Sequence, residues 1–192
     1  MNKFSMGVVL LFLVSCGSSL DREMKSQSEV VKAETIPSDY NPEAKLSELN
    51  IILRDQGIPA ANYVHAVRAG NLLFLAGKGP KQANGENVVG KLGAALSLEE
   101  GYAAAREVAI NQLSVLKAEL GNLNKVKRVV MVNGMVNAVP EFTNHSKVIN
   151  GYSDLMVAVF GNAGKHARAA VGMGSLPGNM AVEVEMIVEV YQ

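Results

Sequence analysis

The sequence predicts an α+β domain: a mixed β-sheet with two helices covering one of its faces. Three observations carry this. Hydrophobic periodicity switches along residues 44–192 in the order ββ, α, β, α, ββ. Apolar residues make up 48% of the 192, enough for one core, while charged residues at 19% are too few for disorder. No segment repeats another, so an array of small units is excluded.

The elements follow in chain order. Leu46, Leu49, Ile52 and Leu53 fall at helical spacing and predict a short amphipathic helix, ending near Gly57 and Pro59. Residues 63–68 and 72–76 read as strands flanking Ala69-Gly70-Asn71, a tight hairpin. Ser97 with Glu100 three residues later is a capping box. The long helix it opens carries Tyr102, Ala105, Ala109, Leu113, Leu116 and Leu120 on one stripe and stops at Gly121. Residues 127–137 form a Val- and Met-rich strand. Residues 142–160 form a second helix, with Val148, Tyr152, Leu155 and Val159 at helical spacing and Gly161 beyond. Residues 167–173 and 181–190 are strands around Leu176-Pro177-Gly178-Asn179, a turn that would pair them directly. Met131, Met135, Met156 and Met186 fall at core-like positions and read as packing.

The domain follows a leader. Residues 1–15 hold one basic residue, Lys3, and an apolar run at 8–14, the layout of a secretory signal peptide. That run is too short to span a bilayer, which takes about 20 helical residues. Leu13-Val14-Ser15-Cys16 resembles the bacterial lipobox, whose Cys becomes the lipidated first residue of the mature chain. Cys16 is therefore expected to carry a lipid anchor, the alternative being a buried thiol in an N-terminal helix. Residues 16–43 are polar and read as lipidated Cys plus tether, leaving 44–192 as the domain. The expected location is the bacterial cell envelope, membrane-anchored. Gly17, where inner-membrane lipoproteins carry Asp, favours the outer membrane.

Charge and residue counts remove several function classes. The chain has 18 Lys and Arg against 18 Asp and Glu, and residues 44–192 hold 14 against 12. That balance offers no basic surface for nucleic acid. One Cys excludes an intrachain disulfide, and His65, His145 and His166 lack metal-ligand spacing, so no metal site is expected. No nucleophile elbow is present, because Met173 stands two residues before Ser175. Gly77-Lys78-Gly79-Pro80 is neither a P-loop nor a dinucleotide fingerprint, which leaves Lys78 a solvated side chain.

The last strand is the most regular element. Val182, Val184, Met186, Val188 and Val190 point one way, and Glu183, Glu185 and Glu189 the other. Three carboxylates without alternating Lys make either a solvated face or the wall of a cleft. Arg168 lies among small residues in His166-Ala167-Arg168-Ala169-Ala170. Its planar cation either pairs with a Glu of the neighbouring strand or holds the carboxylate of a small substrate. His166, two residues before Arg168, is placed to share the same cleft mouth.

The segment HARAAVGMGSLPGNMAVEVEMIVEV resembles the C-terminal signature of the RidA/YjgF reactive-intermediate deaminase family, also called the L-PSP endoribonuclease/chorismate-mutase-like superfamily. The resemblance continues through IPAANYVHAVRAGNLLFLAGKGP, GKLGAALSLEEGYAAAREVAINQLSVLKAELGNLNKVKRVV and FTNHSKVINGYSDLMVAVFG, covering nearly all of 44–192. It implies a single chorismate-mutase-like domain assembling as a homotrimer with clefts between subunits. Arg168 matches the family's carboxylate-gripping Arg, and Glu183 the Glu near the reactive carbon or its water. Tyr63 matches an aromatic at the cleft edge, Gly77 a strand end lining the pocket, and Asn150 a helical Asn. The implied activity is hydrolysis of 2-imino or enamino acids, which needs no cofactor: the site fixes the anion, positions water and polarises C=N. Two positions depart from the family pattern, Ala76 where a small hydroxyl residue is common and Ala170 where a Cys is common. The alternative is a non-catalytic, lipid-anchored trimer whose clefts bind a small carboxylate or a protein partner.

Overall fold

The computed structural model describes residues 35–59 and 61–192, so the leader, Cys16 and the tether up to residue 34 lie outside the described residues. The Asn41 side chain accepts from the Ala44 amide (3.1 Å) and Pro42 takes the first helical position, so α1 (Pro42–Glu48) begins before the apolar spacing predicts. It also ends earlier, which buries Leu46 and leaves Ile52 exposed. Residues 40–43, assigned to the tether by composition, pack on the domain. The Tyr40 hydroxyl donates to the Val126 carbonyl (2.6 Å), and Glu43 Oε1 accepts from Lys117 Nζ (2.7 Å) and the Leu123 amide (2.9 Å).

β1 (Ala66–Ala69) and β2 (Leu72–Lys78) form the expected antiparallel hairpin, its turn needing the left-handed φ of +62° at Gly70. α2 (Leu98–Leu120) opens on the Ser97–Glu100 capping box and closes on Gly121 at φ +73°. β3 (Val126–Asn137) leads to α3 (His145–Phe160), which starts later than the spacing predicts because the Phe142 amide closes a turn on the Val139 carbonyl instead of entering the helix. β4 (Ala167–Met173) and β5 (Val182–Val190) end the chain.

The sheet order is β1-β2-β5-β3-β4. β3 and β4 run parallel with α3 as their crossover, and every other pair is antiparallel. The direct β4–β5 pairing expected across 176–179 does not form. That segment is a 3₁₀ turn within a longer connection which carries the chain past the end of β3, so β5 inserts between β2 and β3. Met131↔Ile187 and Val132↔Arg168 are the cross-strand neighbours instead.

Alternation decides the two faces. Leu73, Leu75, Val129, Val132, Val136 and the even-numbered residues of β5 are buried beneath α2 and α3. Met156 and Met186 join this core, but Met131 and Met135 fall on the opposite, open face, half-buried. Tyr102 leaves the buried stripe of α2, and its hydroxyl donates to Asp154 Oδ2 (2.9 Å). The two helices touch closely at Gly151, where a Cβ would stand 2.0 Å from the Tyr102 carbonyl oxygen.

Candidate functional site

Arg168 stands on β4, the edge strand, on the helix-covered face: its register partner is Val132, a core residue. Its guanidinium is not bound to a carboxylate among the described residues. Nη1 donates to Asn150 Oδ1 (2.9 Å) and to Ser153 Oγ (3.0 Å), and Nη2 reaches the Ser146 carbonyl at a long 3.4 Å. All three acceptors lie on one stripe of α3, at helical spacing. Both Nη1 protons are thus used, while Nε–H has no hydrogen-bond partner among the described residues and is open to an added carboxylate oxygen. The Arg–Glu sheet pair is ruled out by topology, since β3 separates β4 from β5.

Glu183 occupies the open face of β5, opposite Met135 of β3. Its carboxyl lies over the backbone of Gly77: a Cβ at Gly77 would be 2.2 Å from Glu183 Oε1. Glycine is therefore required there for the carboxyl to approach the strand. The β2–β5 ladder is irregular between Leu75 and Lys78, and Gln112 of α2 supports that break. Its Nε2 donates to the Ala76 carbonyl (3.1 Å) and the Val184 carbonyl (2.9 Å). Burial, and secondarily the nearby Glu185, push the Glu183 carboxyl above the usual carboxylate range. Glu189, on the same face, behaves oppositely. Lys127 Nζ (3.1 Å), Arg128 Nε (2.6 Å) and Asn71 Nδ2 (2.9 Å) hold it, and the hydrogen bond from Lys127 leads in lowering its pKa. The Glu-bearing face thus holds one carboxylate paired with three donors and one whose ionised form burial disfavours.

Tyr63 is half-exposed in the segment before β1, on the side of the sheet edge flanking β2. Ala76 contributes to a cleft of about 340 Å³ on the open face, with Phe74, Met131, Glu185 and Ile187. Ala170 pairs with Gly134 and packs on the core. Lys78 is not solvated: it is half-buried, its Nζ lies 2.6 Å from His65 Nδ1, and burial lowers its pKa. Among the described residues no group of three or more His, Cys, Asp or Glu is placed to hold a metal ion.

Within one chain the sequence-derived residues fall into two sets. Arg168 and Asn150 meet at the β4–α3 edge. Gly77 and Glu183 meet on the open face, with Tyr63 on the same flank of the sheet. Two strand spacings and three residues of register separate Arg168 from Glu183, roughly 14 Å between Cα atoms, and the side chains leave opposite faces. Ser146, Ser153 and Gln112 were not legible as site residues one by one. A signal existed for the first two, since 146, 150 and 153 form the polar stripe opposite Val148, Tyr152, Leu155 and Val159.

The chain matches, over residues 43–190, the family described as "YjgF/chorismate_mutase-like, putative endoribonuclease". It is 48% identical over 147 residues to Protein TCP17 of Trypanosoma cruzi, covering 76% of this chain and 92% of that protein. The crystal structure of protein Atu1372 from Agrobacterium tumefaciens superposes with a TM-score of 0.72 at 44% identity, covering 79% of this chain and 94% of the other. RidA from the Antarctic bacterium Psychrobacter aligns with a TM-score of 0.50 at 26% identity, covering 72% and 98% respectively.

Proposed function

This chain belongs to the YjgF/chorismate-mutase-like family, and from that premise we propose that it hydrolyses small 2-imino or enamino acids in clefts shared by neighbouring copies of a homotrimer. The observation that carries this reading is the state of Arg168. Neutral acceptors of α3 hold it by Nη1 and, at longer range, Nη2, and neither its Nε nor any other guanidinium nitrogen pairs with a carboxylate among the described residues. A guanidinium so prepared, in a site without a competing carboxylate, is a receptor for an external one.

Arg168 of one copy fixes the substrate carboxylate, which aligns the C=N carbon towards the neighbouring copy's Glu183 and Gly77. Water adds to C2 while Glu183 accepts its proton. Glu183 returns that proton to the amine nitrogen; as the C–N bond then breaks, the new C2 hydroxyl passes its own proton through Glu183 to the departing nitrogen, and a 2-oxo acid and ammonia leave. A carboxyl raised above its usual range suits this exchange, because its affinity for a proton is nearer that of the reacting groups. Asn150 holds the guanidinium, Gly77 gives room for the Glu183 carboxyl, and Tyr63 closes the cleft edge.

The test is ammonia and 2-oxo acid release from imines generated in situ by an amino-acid oxidase. Wild type should outpace buffer, and Arg168→Ala should lose at least about tenfold in kcat/KM, the loss of a charged hydrogen-bonded anchor. Wild-type rates equal to buffer overturn the reading. A second reading, a trimer that binds carboxylates without turnover, is favoured by Ala76, whose methyl offers no hydrogen bond to substrate. Saturable, Arg168-dependent binding of a 2-oxo acid without ammonia release would select it.

A further inference from the structure

Beyond Arg168 itself, a chain of hydrogen bonds runs back into the protein. His166 Nδ1 lies 2.6 Å from the Gly164 carbonyl, which can only accept, so the ring carries its proton on Nδ1. Nε2 then presents a lone pair to Ser153 Oγ at 3.0 Å. With its own proton committed to His166, the Ser153 oxygen can accept from Arg168 Nη1, also at 3.0 Å. Arg168 donates to Ser153, Ser153 to His166 and His166 to the Gly164 carbonyl, and the polarity of the series is fixed from that carbonyl end.

We propose that Ser153 and His166 are positioning residues that set the Arg168 guanidinium for carboxylate capture, and that protonation of His166 releases this setting. The proposal rests on the reading of Arg168 as a substrate anchor and adds a pH-dependent control of that anchor. Protonated His166 has an N–H at Nε2. Ser153 Oγ must then accept from both Nε2–H and Nη1–H, and its own proton, left without the His166 acceptor, has to turn elsewhere and shift the hydroxyl that holds Arg168. The two cations also repel across that hydroxyl.

The surroundings favour the neutral ring. On its own strand segment His166 has Lys165 and Arg168 near it, and α3 gives it the Ser153 hydroxyl. The turn at Gly161–Gly164 supplies the Gly164 carbonyl. Arg128 of β3 and Glu189 of β5 line the same cleft as Lys165 and His166, but Glu189 is already committed to Lys127, Arg128 and Asn71. Burial first, and the Arg168 charge last, lower the His166 pKa from its ordinary value, against the opposing hydrogen bond to Gly164. At neutral pH the relay is therefore set, and it is lost as pH falls below the ordinary histidine range.

Pyruvate serves as the carboxylate probe, titrated calorimetrically into the purified full chain at about pH 8 and about pH 5.5, where pyruvate stays ionised. Wild type should bind several-fold more weakly at the lower pH. Ser153→Ala should weaken binding by about tenfold at the higher pH, Ser153→Thr should restore it, and His166→Gln should abolish the pH step. Thermal melts of each variant separate misfolding from lost positioning, and the Ser153→Thr and His166→Gln arms stand even if Ser153→Ala unfolds. If Arg168→Ala abolishes binding while Ser153→Ala and His166→Gln keep wild-type affinity and slope, the relay is overturned and the anchor stands. Binding that strengthens or stays flat in wild type at low pH also overturns the relay. If wild type does not bind pyruvate, or Arg168→Ala binds like wild type, the anchor falls and the relay with it.

Discussion

Glu183 and Glu189 share one face of one strand and end in opposite electrostatic states. Glu189 is nearly buried, with a lysine, an arginine and an asparagine donating to it, so its charge is stabilised by the fold. Glu183 sits half-buried over Gly77, with Glu185 as its charged neighbour, and its ionisation is disfavoured. A carboxyl whose folded pKa is raised costs stability when ionised. The cost is absent in acid and appears as pH rises through that pKa. Glu183→Gln should therefore raise the melting temperature at about pH 8 and hardly change it at about pH 4, while lowering kcat by at least about tenfold. Calorimetric melts at both pH values, paired with the ammonia assay, check the trade; a melting gain that is independent of pH would contradict the electrostatic cause. Alternation along β5 showed the three carboxylates on one face, but which one is paired depends on Arg128 and Asn71, residues distant in sequence.

At the scale of elements, the irregular stretch of β2 between Leu75 and Lys78 is what brings Gly77 beneath Glu183, and α2 holds it there. Gln112 is fully buried in that helix, and its amide satisfies carbonyls of both β2 and β5. Replacing it with Leu fills similar space but leaves the Ala76 and Val184 carbonyls unpaired in the core. Gln112→Leu should cost about 2–4 kcal/mol in urea unfolding and lower activity beyond what the stability loss explains. An unchanged unfolding midpoint would show that the break in the ladder needs no such support. The helix boundaries here followed local chemistry: the Ser97 box and Gly121 were legible, and Asn41-Pro42 shows the same start signal, masked by the stronger apolar run downstream.

At the scale of the molecule, the open sheet face exposes Val67, Phe74 and Val171 beside the half-buried Met131 and Ile187, an apolar surface fit to be covered by further copies. A cleft taking Arg168 from one copy and Glu183 from the next makes a strong demand on mixing experiments. Arg168→Ala and Glu183→Gln chains, each inactive alone, should regain roughly a quarter of wild-type activity when refolded together into mixed trimers, because one cleft in four receives both intact residues. No recovery in demonstrably mixed trimers would contradict a cleft that takes Arg168 from one copy and Glu183 from the next. The lipid anchor expected from the Cys16 motif is tested separately: if Cys16 is acylated, Cys16→Ser should move the protein from the membrane fraction to the soluble one and remove labelling by radioactive palmitate. Membrane association that persists would set the anchor aside.

Periodicity, capping residues and turn residues determined the order of strands and helices, because each is set by neighbours within a few residues. The family resemblance added the candidate site residues Arg168, Glu183, Gly77, Tyr63 and Asn150, of which only Arg168 and the Glu-bearing face stood out from the residues themselves. Strand order was not determined in this way. The 176–179 turn looks like a hairpin locally, and only the competition for the central place in the sheet put β5 between β2 and β3. The same placement sends Arg168 and Glu183 to opposite faces, which no local pattern encodes. The partners of Arg168 on α3 likewise depend on where β4 lands beside that helix. Local chemistry fixed what each segment is. Long-range pairing, which is won by burial summed over the whole sheet, decided which charges meet a countercharge and which, like Arg168, meet only neutral acceptors.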